Sequence, residues 1–126
     1  MSEPKRIATP NAPSAVGAYS QAVEIGNFVF TSGTLPIDPV SKTIPEEVKA
    51  QAILALSNVK AIIEAAGSAM DKVVKSTVLL ADIGDFAAVN EVYATFFSKP
   101  FPARSCFAVA DLPLGAKVEV EVIAAK

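Results

Sequence analysis

One arginine stands in an otherwise apolar, strand-like stretch of the sequence, residues 101–107 (FPARSCF). Pro102 has no backbone N–H to give to a sheet, so a strand is predicted to begin just after it, with Arg104 and Cys106 on one face. A planar guanidinium binds a carboxylate through two parallel hydrogen bonds, so Arg104 indicates a site for a carboxylate ligand. An edge arginine that reaches solvent, or one paired with a protein carboxylate, would produce the same pattern.

Two acidic residues alternate with valines in the last predicted strand, residues 116–124. If this strand pairs with the strand before it, Glu119 comes opposite Cys106. In the same register Glu121 comes opposite Arg104, so that both acids lie on the arginine's side of the sheet. Alternation with valine is equally the pattern of a solvated strand face that has no chemical role.

The lack of histidine and of a second cysteine limits the metal sites and the acid–base groups that this chain can form. The chain has no histidine and a single cysteine, which excludes an internal disulfide and the usual zinc-binding constellations. We therefore do not expect a structural metal. A general acid or base near neutral pH must then be a carboxylate with a raised pKa, a tyrosine, the cysteine or a positioned water.

Length, composition and charge limit the function classes. The 126 residues predict one domain, residues 1–126, and the 52% hydrophobic content exceeds what one small domain easily buries, which predicts subunit contacts. A net charge of −2 without a cluster of Lys and Arg does not favour a nucleic-acid partner. No signal peptide and no run of ~18 apolar residues occurs, so we expect a cytoplasmic protein without a membrane partner.

A tight hairpin is predicted near the N-terminus. Two strand-like runs, residues 20–25 and 28–32, are joined by Gly26 and Asn27, and a two-residue connection of this kind fixes the register of a hairpin. The residues that meet at its open end are Tyr19, Gln21, Ser32 and Gly33. We expect a pocket to open there.

Two helices complete the predicted fold. The first is predicted to begin near Pro45, within the capping-box pattern of residues 43–46 (TIPE), and to end at Gly67. The second, residues 86–97, carries Asn90 within its apolar stripe, where the amide needs either a ligand or a protein group as its partner. The element order is β-β-α-β-α-β-β, which predicts an α+β fold with both helices on one face of the sheet.

Nine short segments, spread over nearly the whole chain, match the motifs of a known family. They are residues 11–13 (NAP), 17–19 (GAY), 30–33 (FTSG), 58–62 (NVKAI), 85–86 (DF), 89–90 (VN), 102–105 (PARS), 112–113 (LP) and 118–121 (VEVE). In these segments the sequence resembles the Rid proteins, the reactive-intermediate deaminases also called the YjgF family. The resemblance implies a chorismate-mutase-like fold with a mixed β-sheet, assembled as a homotrimer with ligand pockets between neighbouring subunits.

The resemblance also implies an activity and a set of site residues. Family members hydrolyse 2-imino and enamine acids such as 2-iminobutanoate and 2-iminopropanoate to 2-keto acids and ammonia, without a cofactor. By resemblance, Arg104 grips the substrate carboxylate and Glu119 positions the attacking water. The remaining residues implied to bind substrate are Tyr19, Ser32, Gly33, Asn90 and Cys106.

Two other functions stay open at the level of sequence. One is a non-catalytic regulatory module that binds 2-keto acids, and the other is the endoribonuclease or translation-inhibitor activity reported for some relatives. The acidic net charge disfavours the ribonuclease, because phosphate contacts dominate affinity for nucleic acids. Thr34 stands where many family members have glutamine, so the resemblance does not fix the preferred substrate side chain.

Overall fold

A mixed six-stranded sheet carries two helices in this computed structural model, which describes residues 3–126. The strands are β1 (Lys5–Ile7), β2 (Ala22–Ile25), β3 (Phe28–Thr31), β4 (Val73–Leu80), β5 (Ala103–Ala108) and β6 (Val118–Ala125), and the helices are α1 (Val48–Ala65) and α2 (Phe86–Phe96). Across the sheet the order is β1-β2-β3-β6-β4-β5, and the pair β4–β5 is the parallel one. The predicted α+β class is confirmed, and one short strand, β1, precedes the elements read from the sequence. None of the helices within residues 3–126 has the length and apolar character needed to cross a membrane.

The predicted hairpin forms in the predicted register. Ile25 lies opposite Phe28 and Val23 opposite Phe30. Gly26 has a φ of 57°, the left-handed conformation that a two-residue hairpin connection requires and that glycine adopts without steric cost. The local sequence was sufficient here, because the turn alone sets the pairing.

Helix α1 begins later than the sequence pattern indicated. Its first residue is Val48, and the carboxylate of Glu47 accepts hydrogen bonds from backbone N–H groups of the first turn. The capping box predicted around Pro45 was therefore wrong, because the next acidic residue along the chain caps the helix itself. The predicted end was right: the helix stops at Ala65, and Gly67 follows with a φ of 84°.

The last two strands do not pair with each other, so the predicted pairing was wrong. Strand β5 lies at the edge of the sheet and pairs with β4, while β6 lies between β3 and β4. The connection β4–α2–β5 is a parallel crossover, and it places β5 on the far side of β4. Strand β6 takes the central place because its inward residues Val118, Val120 and Val122 are all buried under the helices.

The arginine lies on the helix side of the sheet. Arg104 is opposite Ser76 of β4, and Cys106 is opposite Val78. Ser76 is fully buried, and its hydroxyl is 2.6 Å from the hydroxyl of Tyr93 in α2. Side chains opposite each other in neighbouring strands share a face, so Arg104 and Cys106 point towards α2.

The two acids lie on the other, open face. Glu119 is opposite Leu79 and Glu121 is opposite Thr77, positions of β4 that alternate with its buried residues. The prediction that both acids share a face with Arg104 was therefore wrong. Alternation correctly predicted which side chains share a face within each strand. Because β4 lies between β5 and β6, however, the pairing with β4 decides which face of β5 lies on the same side of the sheet as which face of β6.

Candidate functional site

A pocket of about 740 Å³ opens at the open end of the β2–β3 hairpin. Four of the predicted site residues line it: Tyr19, Ser32, Gly33 and Glu119. The other three, Arg104, Asn90 and Cys106, lie on the helix side of the sheet. Within one chain, the predicted site residues thus form two separate groups.

Glu119 reaches the pocket directly beside Gly33. Backbone hydrogen bonds join Thr34 and Val120, with the Thr34 N–H donating over 2.8 Å and the Val120 N–H over 3.1 Å, and this bridge brings the segment after β3 against β6. A methyl group on Gly33 would lie 2.8 Å from Oε2 and 2.9 Å from the carboxyl carbon of Glu119. A side chain at this position would therefore displace the carboxylate of Glu119 from its present place.

The environment of Glu119 shifts the pKa of its carboxyl group upwards. Partial burial raises the pKa of its carboxyl group above the ordinary value, and the negative charge of Glu121 on the same face raises that pKa further. A carboxylate with a raised pKa holds and releases protons closer to neutral pH, and it can orient a water through its oxygens. A carboxylate with a raised pKa is one of the few groups that can act as a general base in a chain without histidine, and Glu119 has this property.

Two hydroxyl groups of the pocket differ in what they can offer a ligand. The hydroxyl of Ser32 donates to the backbone carbonyl of Ser20, so its hydrogen is used and only its oxygen lone pairs remain. The hydroxyl of Tyr19 accepts a hydrogen bond from the N–H of Val16 over 3.4 Å, which leaves its own hydrogen available. Tyr19 is half exposed at the mouth of the pocket, so a bound ligand can reach this donor.

The loop that forms one wall of the pocket is held by Gln21. This side chain is buried, its Oε1 accepts from the N–H of Thr9 over 2.7 Å, and its Nε2 donates to the carbonyl of Pro13 over 2.7 Å. Sequence reasoning placed Gln21 at the open end of the hairpin but missed this function. A glutamine facing a loop rich in proline was the available signal, since prolines leave carbonyl groups that need donors.

The arginine is oriented by one face of helix α2. Its Nη1 donates to Oδ1 of Asn90 over 2.7 Å. The guanidinium carbon of Arg104 lies 4.8 Å from the centre of the Tyr93 ring and 5.4 Å from that of Phe86. Stacking on two rings and one amide bond fix the plane of the guanidinium and leave most of its five donors for a ligand.

The contacts of Arg104 also reveal a protein partner for the amide of Asn90. Its Oδ1 accepts a hydrogen bond from the arginine itself. Phe86 and Tyr93 were predicted only as part of the apolar stripe of the helix. The spacing of Phe86, Asn90 and Tyr93 places them on one face of the helix, which could have indicated a common partner. That partner can be named only once the strand of Arg104 is known to lie against this face.

Cys106 follows Arg104 on the same face and is partly buried. Burial raises the pKa of its thiol, and the positive charge of Arg104 offsets only part of that shift. The group is therefore a neutral thiol near pH 7, which is a poor nucleophile.

Comparison with known proteins identifies the family. Residues 9–126 match the family model described as Endoribonuclease L-PSP. The chain belongs to this family. It is 50% identical over 125 residues to the 2-iminobutanoate/2-iminopropanoate deaminase of Escherichia coli (strain K12), covering 97% of this chain and 98% of that protein. The resemblance to the Rid proteins read from the sequence is confirmed.

Solved structures of the Endoribonuclease L-PSP family share the fold over nearly the whole chain. RidA from the Antarctic bacterium Psychrobacter sp. PAMC 21119 has a TM-score of 0.94 at 48% identity, covering 97% of this chain and 99% of that chain. E. coli TdcF, solved with bound serine, has a TM-score of 0.93 at 46% identity, covering 97% and 98%. The sheet and helices that carry the two groups of site residues are therefore those of the family.

Proposed function

We propose that this protein is a 2-iminobutanoate/2-iminopropanoate deaminase, a hydrolase that converts reactive imino acids to 2-keto acids and ammonia without a cofactor. The observation that carries the proposal is the carboxylate of Glu119, whose pKa is raised and which faces Gly33 inside a pocket of about 740 Å³. The E. coli relative that bears this activity in its name is identical at half of the aligned positions, which supports the same chemistry here.

The proposed reaction needs an anchor and a directed water. The fork of Arg104 binds the substrate carboxylate through two parallel hydrogen bonds. The carboxylate of Glu119 accepts a proton from a water while the water oxygen attacks the imine carbon, and it then passes this proton to the imine nitrogen, which gives a carbinolamine and restores the carboxylate. The carbinolamine then loses its hydroxyl proton to the carboxylate, the C–N bond breaks, and the departing nitrogen takes the proton to leave as ammonia. Tyr19 and the lone pairs of Ser32 orient the substrate.

The proposal includes a homotrimer, because one chain carries Arg104 and Glu119 on opposite faces of its sheet. Strand β5 is an exposed edge strand, so the Arg104 group of one subunit can complete the Glu119 pocket of a neighbour. Three phenylalanines of the open face, Phe28, Phe30 and Phe107, are 44%, 41% and 48% exposed. An apolar face of this kind is typical of a subunit interface.

A ligand with an α-carboxylate suits the proposed anchor. TdcF, a neighbour in fold at 46% identity, was solved with bound serine, which carries such a group. An endoribonuclease activity is not favoured by the charge of the chain. The net charge is −2, whereas binding of an RNA backbone requires clustered cations. We expect the enzyme to act in the cytoplasm, where enzymes that release imino acids supply its substrate.

The direct test couples the purified protein to a source of imine. An L-amino-acid oxidase or a threonine dehydratase supplies the imino acid, semicarbazide traps the free imine, and the rate of 2-keto acid formation is followed. We expect the protein to accelerate 2-keto acid formation and Glu119→Gln to abolish the acceleration. Absence of acceleration would contradict the proposal, and binding of 2-keto acids without turnover would support a regulatory module instead.

A further inference from the structure

Two exposed apolar side chains stand at the mouth of the Glu119 pocket. Val16 is 78% exposed and Leu114 is 73% exposed, and both line the same pocket as Glu119. Burial of apolar surface is favourable, so such side chains gain most when a ligand covers them. The attacking water and the carboxylate group of the substrate are polar and gain nothing from an apolar wall. The part of the substrate that these two side chains can cover is therefore its own side chain.

The backbone holds Leu114 in an unfavourable conformation. Its φ is 59° and its ψ is 23°, within a short 3₁₀ turn that also contains Gly115 at a φ of 69°. The turn is closed by a hydrogen bond of 3.2 Å from the N–H of Ala116 to the carbonyl of Pro113. The left-handed region is unfavourable for a branched side chain, and strain of this type is concentrated at binding and catalytic sites.

Val16 is presented by a second, separately anchored loop. Its N–H donates to the hydroxyl of Tyr19, and the same loop is fastened to the hairpin through the bond of Gln21 to Pro13. Two apolar side chains on two anchored loops form a preorganised wall, which binds a ligand with little loss of conformational entropy.

We infer that Val16 and Leu114 form an apolar subsite for the side chain of the imino acid, and that the enzyme prefers extended or branched aliphatic imino acids to 2-iminopropanoate. This inference rests on the proposed function. A pocket of about 740 Å³ lies in the range that drug-sized ligands occupy, so a longer side chain fits beside Glu119. Each methylene that becomes buried in the subsite raises kcat/KM about fourfold.

The test compares two substrates in variants that keep the backbone. Leu114→Asn removes the apolar side chain while asparagine tolerates the left-handed conformation. We expect the ratio of kcat/KM for the leucine-derived imine to that for the alanine-derived imine to fall about tenfold. Val16→Ser lowers the same ratio. The matched control is Val40→Ser, because Val40 is 88% exposed but lies outside the pocket lining, and it leaves the ratio unchanged.

A binding measurement separates failure of the subsite from failure of the proposed function. The affinities of 4-methyl-2-oxopentanoate and pyruvate are measured by calorimetry on the same variants, which requires no turnover. A ratio of affinities that falls in Leu114→Asn supports the subsite even if no imine is hydrolysed. If neither the kcat/KM ratio nor the affinity ratio changes, the subsite is overturned. If the ratios are unchanged and Leu114→Asn also loses the oligomer, the apolar wall is a subunit contact instead.

Discussion

The two groups of site residues are positioned by different physical means. The Glu119 group is built by loops and by close backbone approach, with a carboxylate seated against Gly33 in an environment that raises its pKa. The Arg104 group is built by side chains of one helix, which fix a guanidinium by stacking and by one amide hydrogen bond. The position and the pKa of Glu119 therefore depend on the free space beside Gly33 and on nearby charge, whereas Arg104 depends on the groups that orient its guanidinium. Substitutions in the two groups should fail in different ways.

The largest loss is expected from Arg104→Lys. The charge and the aromatic surroundings remain, but the planar fork is lost, so kcat/KM for 2-iminobutanoate should fall roughly thirtyfold to several-thousandfold. The melting temperature should not fall, because Arg104 is exposed and lies on an edge strand. Steady-state kinetics and thermal unfolding of the same sample check both expectations.

The second arginine of the chain supplies a matched control for this substitution. Arg6 is exposed and donates to the carbonyl of Pro4, away from both groups of site residues. Arg6→Lys should leave kcat/KM unchanged. Equal activity of Arg104→Lys and the wild type would mean that Arg104 is an ordinary surface residue.

Gly33→Ala tests the need for space in the acid group. The added methyl would lie 2.8 Å from the Glu119 carboxylate oxygen, and the flexible end of that side chain can rotate away. Stability should therefore change little, while displacement of the proposed general base should lower kcat about a hundredfold. Kinetics and unfolding in denaturant measure the two effects, and an active Gly33→Ala enzyme would show that the position of Glu119 is not critical.

Glu121→Gln tests the charge that acts on Glu119. In the proposed reaction Glu119 must be ionised to accept a proton, so we expect activity to fall as the pH drops through its pKa. Because Glu121 raises that pKa, its removal should lower the pKa and move the acid limb of the pH–kcat/KM profile to lower pH. Burial, the larger cause, remains, so the limb should stay above the range of an ordinary carboxyl group. A limb that does not move would show that another group governs it.

The smallest effect is expected from Cys106→Ser. The proposed hydrolysis uses a water and no thiolate, and the raised pKa of the thiol keeps it neutral near pH 7. The variant should retain kcat within about twofold, since the isosteric hydroxyl preserves the packing. Loss of several orders of magnitude with the fold intact would make the thiol a participant in the reaction.

Local patterns predicted the hairpin and the helices well, because a two-residue turn and a helical stripe are set by neighbours in sequence. They also brought Tyr19, Ser32 and Gly33 to one end of the hairpin, where the pocket lies. The relation of Arg104 to Glu119 could not be predicted this way. It depends on the order of β5, β4 and β6 across the sheet, which is decided by packing between distant segments, and alternation reports faces only within one strand.

The most direct test of the account is to mix two variants that are each strongly impaired on their own. The central claim is that a working site takes Arg104 from one subunit and Glu119 from its neighbour. Arg104→Lys and Glu119→Gln are unfolded together in equal amounts, refolded, and assayed for hydrolysis of 2-iminobutanoate, with native mass spectrometry to measure mixed trimers. The account predicts recovery of about a quarter of the wild-type activity, because random assembly joins an intact Arg104 to an intact Glu119 in one of four pairings. No recovery in a sample that contains mixed trimers would contradict it.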